Sequence, residues 1–156
     1  MDDTARWTEP EAAEIILRHA AQEGGLLPAL HALQARFDHV PRDAVPLLAE
    51  AFNLSRADVH GTLTFYHDFR DHPPGRHVLR LCRAESCQAM GGDGVAADLQ
   101  ARLGVKWGGT TDDDGVTLEP VYCLGLCAVS PSALLDGRPL GRIDADAVMD
   151  ELDAVS

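Results

Sequence analysis

Four cysteines stand as Cys82-x4-Cys87 and Cys123-x3-Cys127, with 35 residues between the two pairs. No Cys-x-x-Cys occurs, which disfavours a two-thiol exchange site. Iron–sulfur clusters take four cysteine thiolates, and zinc tolerates the same short gaps between paired cysteines. Spacing alone therefore leaves an iron–sulfur cluster, structural zinc, and unligated or disulfide-bonded thiols all open. Leu124, Leu126, Ala128 and Val129 lie around the second pair, and Ala89, Met90 and Gly91 follow the first. Such apolar loops would shield a redox centre from water and limit reorganisation, which tilts the reading toward iron and sulfide.

Other residues with possible chemistry rank lower. Arg83 follows Cys82 directly; beside a centre that gains negative charge it would favour the reduced form, but a solvated side chain or an ion pair with Glu85 is the plainer expectation. His60, His67, His72 and His77 cluster without an i, i+4 ligand partner, so a surface or interface role is expected rather than metal binding. Phe65 and Tyr66 are expected to pack a helix against the second domain. Gly91-Gly92-Asp93-Gly94 lacks the full phosphate-binding pattern and carries an acid, and reads as a helix start. Asp112-Asp113-Asp114 reads as a solvated loop tip without the oxygen spacing calcium needs. Ser130 and Ser132 lack a nucleophile-elbow motif, so no catalytic residue is assigned.

The elements that must position the cysteines change character midway. Thr8-Glu9-Pro10-Glu11 reads as a capping box opening a helix whose face is Ala13, Ile16, Leu17 and Ala20, ending at Gly24-Gly25. Pro28 to Phe37 and Asp43 to Phe52 follow, and Ser55-Arg56-Ala57-Asp58 caps a fourth helix carrying Val59 and Leu63. So short a segment is expected to leave apolar stripes for a partner, making residues 1–72 a helical docking domain. His72-Pro73-Pro74-Gly75 is the boundary.

Residues 76–156 then alternate: a strand at His77–Cys82, a helix from Gly91 to Leu103, a strand from Val116 to Tyr122, a hairpin turning at Asp136-Gly137, and a helix from Asp144 to Val155. This β-α-β-β-β-α order has the size of a thioredoxin-like α/β domain. Each cysteine pair sits just past a strand, so adjacent strands would deliver both pairs to one sheet edge.

Composition bounds the partners. Among 156 residues, 13 basic against 25 acidic side chains give a formal charge of −12, and Lys106 is the single lysine. That excludes nucleic acid as an expected ligand. No apolar run reaches the roughly 20 residues of a membrane span, and Met1-Asp2-Asp3-Thr4 is acidic where a signal peptide would be basic. A cytoplasmic location is expected, where thiols stay reduced and favour metal or redox roles.

The cysteine frame, with Cys123-Leu124-Gly125-Leu126-Cys127 at its second half and Leu63-Thr64-Phe65-Tyr66 ahead of it, resembles the small thioredoxin-like [2Fe-2S] subunit of complex I and of NAD-linked hydrogenases and formate dehydrogenases. The resemblance covers nearly the whole chain. Within that family, Phe65 to Arg70 and Cys82 to Gly91 look most like the gamma subunit of cytosolic NAD-dependent molybdenum formate dehydrogenase. It implies that Cys82, Cys87, Cys123 and Cys127 bind one [2Fe-2S] cluster, with Cys82 and Cys87 expected on one iron and Cys123 and Cys127 on the other. It also implies a non-catalytic electron-transfer role beside a flavin and NAD-binding subunit and a molybdenum-containing catalytic subunit, with FMN, the molybdenum cofactor and further clusters in those partners. The equivalent subunit of complex I or of a hydrogenase is the alternative within the family, and a zinc-stapled interaction module is the alternative outside it.

Overall fold

The computed structural model describes residues 7–155. The acidic N-terminal residues Met1 to Thr4 lie outside the described residues. The chain divides at Pro73/Pro74 into two compact units.

The first unit is helical: α1 (Glu9–Ala20), α2 (Leu26–Phe37), α3 (Ala44–Ala51) and α4 (Arg56–Phe65). Against expectation, it buries its own stripes. Ala12, Ile16, Leu30, Leu33, Phe37, Val40, Leu48 and Val59 form one core inside it. The face of α1 is shifted by one residue from the expected one, because Ile15-Ile16-Leu17 offers two overlapping stripes. Ala12, Ile15 and Ile16 are buried, whereas Leu17 is 66% exposed. The expected capping box at Thr8 does not form: the Glu11 carboxylate is taken by a bidentate pair with Arg36 of α2 at 2.6 and 2.9 Å and meets Thr8 only through its hydroxyl, at 3.5 Å. The box at Ser55 does form. The Ser55 hydroxyl accepts from the Asp58 N–H, and the Asp58 carboxylate accepts from the Ser55 N–H, both at 3.1 Å.

The second unit runs β1 (His77–Cys82), α5 (Glu85–Ala89), α6 (Gly92–Leu103), β2 (Val116–Val121), a 3-10 turn at Cys127–Val129, β3 (Ser132–Leu135), β4 (Arg138–Gly141) and α7 (Ala145–Asp153). The sheet order is β2-β1-β3-β4, with β1 and β2 parallel and the other neighbours antiparallel. Pro120 and Pro139 fall on the two edge strands, where a missing N–H breaks no ladder between strands. Asp136 and Gly137 turn the β3–β4 hairpin with φ of 51° and 82°, the paired left-handed conformations a two-residue turn of this hand requires.

Alternation decides which face is buried. Leu79 and Leu81 of β1 join Leu118, Ala133, Leu135 and Leu140 from the other strands, covered by Ala96 and Leu99 of α6 and Val148 and Leu152 of α7. On the opposite pleat Arg80 pairs with Glu119 across the parallel strands at 2.9 Å. Cys82 breaks the alternation: it shares the pleat of Arg80, yet it is only 4% exposed. Asp144 caps α7 by accepting from the Ala147 N–H at 2.8 Å.

Candidate metal centre

Parallel pairing brings the cysteine loops together. The register sets Cys82, the last residue of β1, opposite Val121, the last residue of β2. The Arg83 N–H extends the ladder to the Val121 carbonyl at 2.8 Å. The loops holding Cys87 and Cys123 thus leave the same end of adjacent strands, where a parallel sheet places its ligand sites.

Cys87 lies on α5, a short helix with no expectation in the sequence pattern, and is 2% exposed. Close approach explains the glycine that follows: a Cβ at Gly92 would sit 2.6 Å from the Cys87 carbonyl oxygen. The Cys87 sulfur lies 3.5 Å from the Ser132 hydroxyl and 3.8 Å from that of Ser130. Burial pushes the Cys87 thiol up, but hydrogen bonding, with the Ser132 hydroxyl foremost, holds it below its ordinary value.

The second pair is built differently. Cys123 has φ of 95° and Gly125 φ of 75°, so the chain winds back and the Gly125 N–H bonds the Cys123 sulfur at 3.4 Å. Both Cys123 and Cys127 are exposed. The expected apolar shield does not close: Leu124, Leu126 and Val129 are half-buried, while Ala128, Ala89, Met90 and Gly91 are exposed. Ser130 couples the pairs, donating to the Cys127 carbonyl at 2.8 Å and lying 2.9 Å from the Ser86 hydroxyl of α5. The Ser130–Pro131 peptide is cis.

Arg83 is neither solvated nor paired with Glu85. It bonds Asp93 at 2.8 Å, which ties the first cysteine loop to the start of α6, and stacks over Trp107 at 5.0 Å in a cation–π contact. The histidines do not assemble. His72 meets Asp71 and His77 meets Asp136, each at 2.7 Å, while His60 and His67 line a cavity of about 310 Å³ in the helical unit with Val40, Leu63 and Phe69. Gly91 and Gly92 start α6, as their pattern implied. Asp113 folds onto Thr111 and the Gly115 N–H within its own loop. Sequence reasoning weighed Ser130 and Ser132 only as nucleophiles; nothing in a single chain marks a serine as a neighbour of a distant cysteine.

The residues fit a [2Fe-2S] group. The loops that carry the four cysteines leave one end of two adjacent strands, with the Ser132 hydroxyl beside the Cys87 sulfur and the Gly125 N–H on the Cys123 sulfur. Among the described residues no three His, Cys, Asp or Glu side chains converge as a site for one ion. A centre with two irons asks for two thiolates at each.

Comparison with known proteins agrees. The family pattern described as thioredoxin-like [2Fe-2S] ferredoxin matches residues 12–156. The chain is 35% identical over 128 residues to a subunit of the NADH-quinone oxidoreductase of Pseudomonas aeruginosa, covering 82% of this chain and 77% of the relative. It is 32% identical over 146 residues to the like-named subunit of the NADH-quinone oxidoreductase of Escherichia coli strain K12, covering 93% and 88%. A chain of an NAD+-reducing [NiFe]-hydrogenase in the air-oxidised state superposes with a TM-score of 0.65 at 31% identity, over 83% of this chain and 23% of that one. This protein thus spans about a quarter of that hydrogenase chain. With the β2-β1-β3-β4 sheet, the paired cysteines at its parallel edge and a family match running through both units, the chain belongs to the thioredoxin-like [2Fe-2S] ferredoxin family.

Proposed function

We propose that Cys82, Cys87, Cys123 and Cys127 bind one [2Fe-2S] cluster and that this chain is the electron-transfer subunit of a soluble, cytoplasmic NAD-dependent formate dehydrogenase. The observation that carries the cluster reading is the register of Cys82 with Val121, which brings two cysteine loops to one strand end. The cluster supplies a one-electron carrier. The chain's own residues hold it: Cys82 and Cys87 from the buried side, Cys123 and Cys127 from the open side, with the Gly125 N–H and the Ser132 hydroxyl beside the sulfurs. No residue is asked to make or break a substrate bond.

Met90 and Tyr122, 62% and 76% exposed beside the two cysteine loops, support a partner seated over this edge. In the proposed complex that partner is a flavin and NAD-binding subunit, with a molybdenum-containing subunit further along. Residues 1–72 serve as a helical docking domain, now with a core of their own. The segments Phe65 to Arg70 and Cys82 to Gly91 favour formate dehydrogenase. The names of the relatives favour a second reading, the equivalent subunit of an NADH-quinone oxidoreductase or of an NAD+-reducing hydrogenase. No helix among the described residues is long and apolar enough to cross a membrane.

The purified chain is expected to be brown and, after dithionite reduction, to give the spin-half EPR signal of one [2Fe-2S] centre. Zinc without iron or sulfide would instead establish the zinc-stapled module, which is colourless. Pull-down from the native cells is expected to recover flavin and molybdenum subunits that reduce NAD with formate. Recovery of quinone-reductase or nickel-containing subunits without molybdenum would reject formate and leave the cluster reading standing.

A further inference from the structure

The proton inventory around Cys87 separates two serines that otherwise look alike. Ser132 is 1% exposed, and its hydroxyl meets the Cys87 sulfur at 3.5 Å. Ser130, 8% exposed, approaches the same sulfur at 3.8 Å. A serine hydroxyl has one proton to give. Ser130 gives its proton to the Cys127 carbonyl at 2.8 Å, so the Ser86 hydroxyl, 2.9 Å away, is the donor in their contact. Toward Cys87, Ser130 therefore presents a lone pair, which accepts from a thiol.

Ligation removes the thiol proton, because the thiolate is the form that binds metal. The Ser130 contact then sets lone pair against lone pair. Ser132 is free to act the other way, and a buried hydroxyl needs a partner. Building on the ligand set above, we propose that Ser132 is a positioning residue whose hydroxyl donates to the Cys87 thiolate and raises the reduction potential of the cluster, while Ser130 is a strut that joins the Cys127 loop to α5 and gives the sulfur nothing. A donor on a ligand sulfur favours the state with more negative charge, which is the reduced one.

The test is an EPR-monitored redox titration of the intact, cluster-loaded chain. Ser132→Ala is expected to keep the spin-half signal and shift the midpoint to more negative potential. Ser132→Thr, which keeps the hydroxyl, should fall near the parent, and Ser130→Ala should leave the midpoint in place. Should the alanine variant fail to load, Ser132→Thr and Ser132→Val form a pair of nearly equal shape, and the valine variant must titrate at the more negative potential. Equal midpoints in that pair, an unshifted Ser132→Ala, or a shift in Ser130→Ala as large as in Ser132→Ala would overturn the assignment. A parent chain without a [2Fe-2S] signal would instead overturn the ligand reading beneath it.

Discussion

The two cysteine pairs are held by opposite means. Cys82 and Cys87 are buried where β1 meets α5, fixed by the sheet, by the Gly92 contact and by the Ser132 hydroxyl of β3. Cys123 and Cys127 are exposed on a loop shaped by its own backbone, with left-handed residues at Cys123 and Gly125 and an N–H returned to the Cys123 sulfur. One pair is organised by tertiary packing and the other by local conformation. Damage to the core should therefore disturb the first pair more, and damage to loop dihedrals the second.

The largest expected effect is from Leu81→Ala, which empties a fully buried site next to Cys82 and should cost about 2–5 kcal/mol, read from urea denaturation. If stability falls by less than about 1 kcal/mol, the buried pair does not depend on the core in this way. Gly92→Ala comes next. Its Cβ would lie 2.6 Å from backbone at Cys87, and the forced shift should cost about 1–3 kcal/mol and reduce the iron bound per chain. On the open side, Gly125→Ala meets no atom within 4 Å but must hold φ of 75°, at a cost of about 1–2 kcal/mol. Its iron content should fall while the denaturation slope stays that of the parent; an unchanged iron content would detach the second pair from its backbone. The mildest perturbation is chemical. In the cluster-free chain, iodoacetamide should label Cys123 and Cys127 before Cys82 and Cys87, read by peptide mass, since buried thiols react only through local opening. Uniform labelling would erase the distinction between the pairs.

The elements themselves were legible because helix and strand periods and turn chemistry are local. Pro73-Pro74-Gly75, the Ser55 to Asp58 cap and Asp136-Gly137 each state their structure within a few residues. α5 was not legible, since five residues are too few to show a period. The expected face of α1 and the capping box at Thr8 missed for a different reason. The apolar run at Ile15-Ile16-Leu17 fits two stripes, and Glu11 had a competing partner, Arg36, 25 residues away.

What this sequence determined alone is the donor set, four thiols in two close pairs, and the order of elements that carries them, because ligand chemistry and backbone preference reside in residue types and short spacings. Tertiary structure decided the rest. The parallel register of β1 with β2 set Cys82 opposite Val121, and the return of β3 alongside β1 brought Ser132, 45 residues from Cys87 in the chain, against its sulfur. Which pair is buried, and which hydroxyl keeps a proton to give it, depends on contacts between residues far apart in the chain, and those exist only once the sheet has closed.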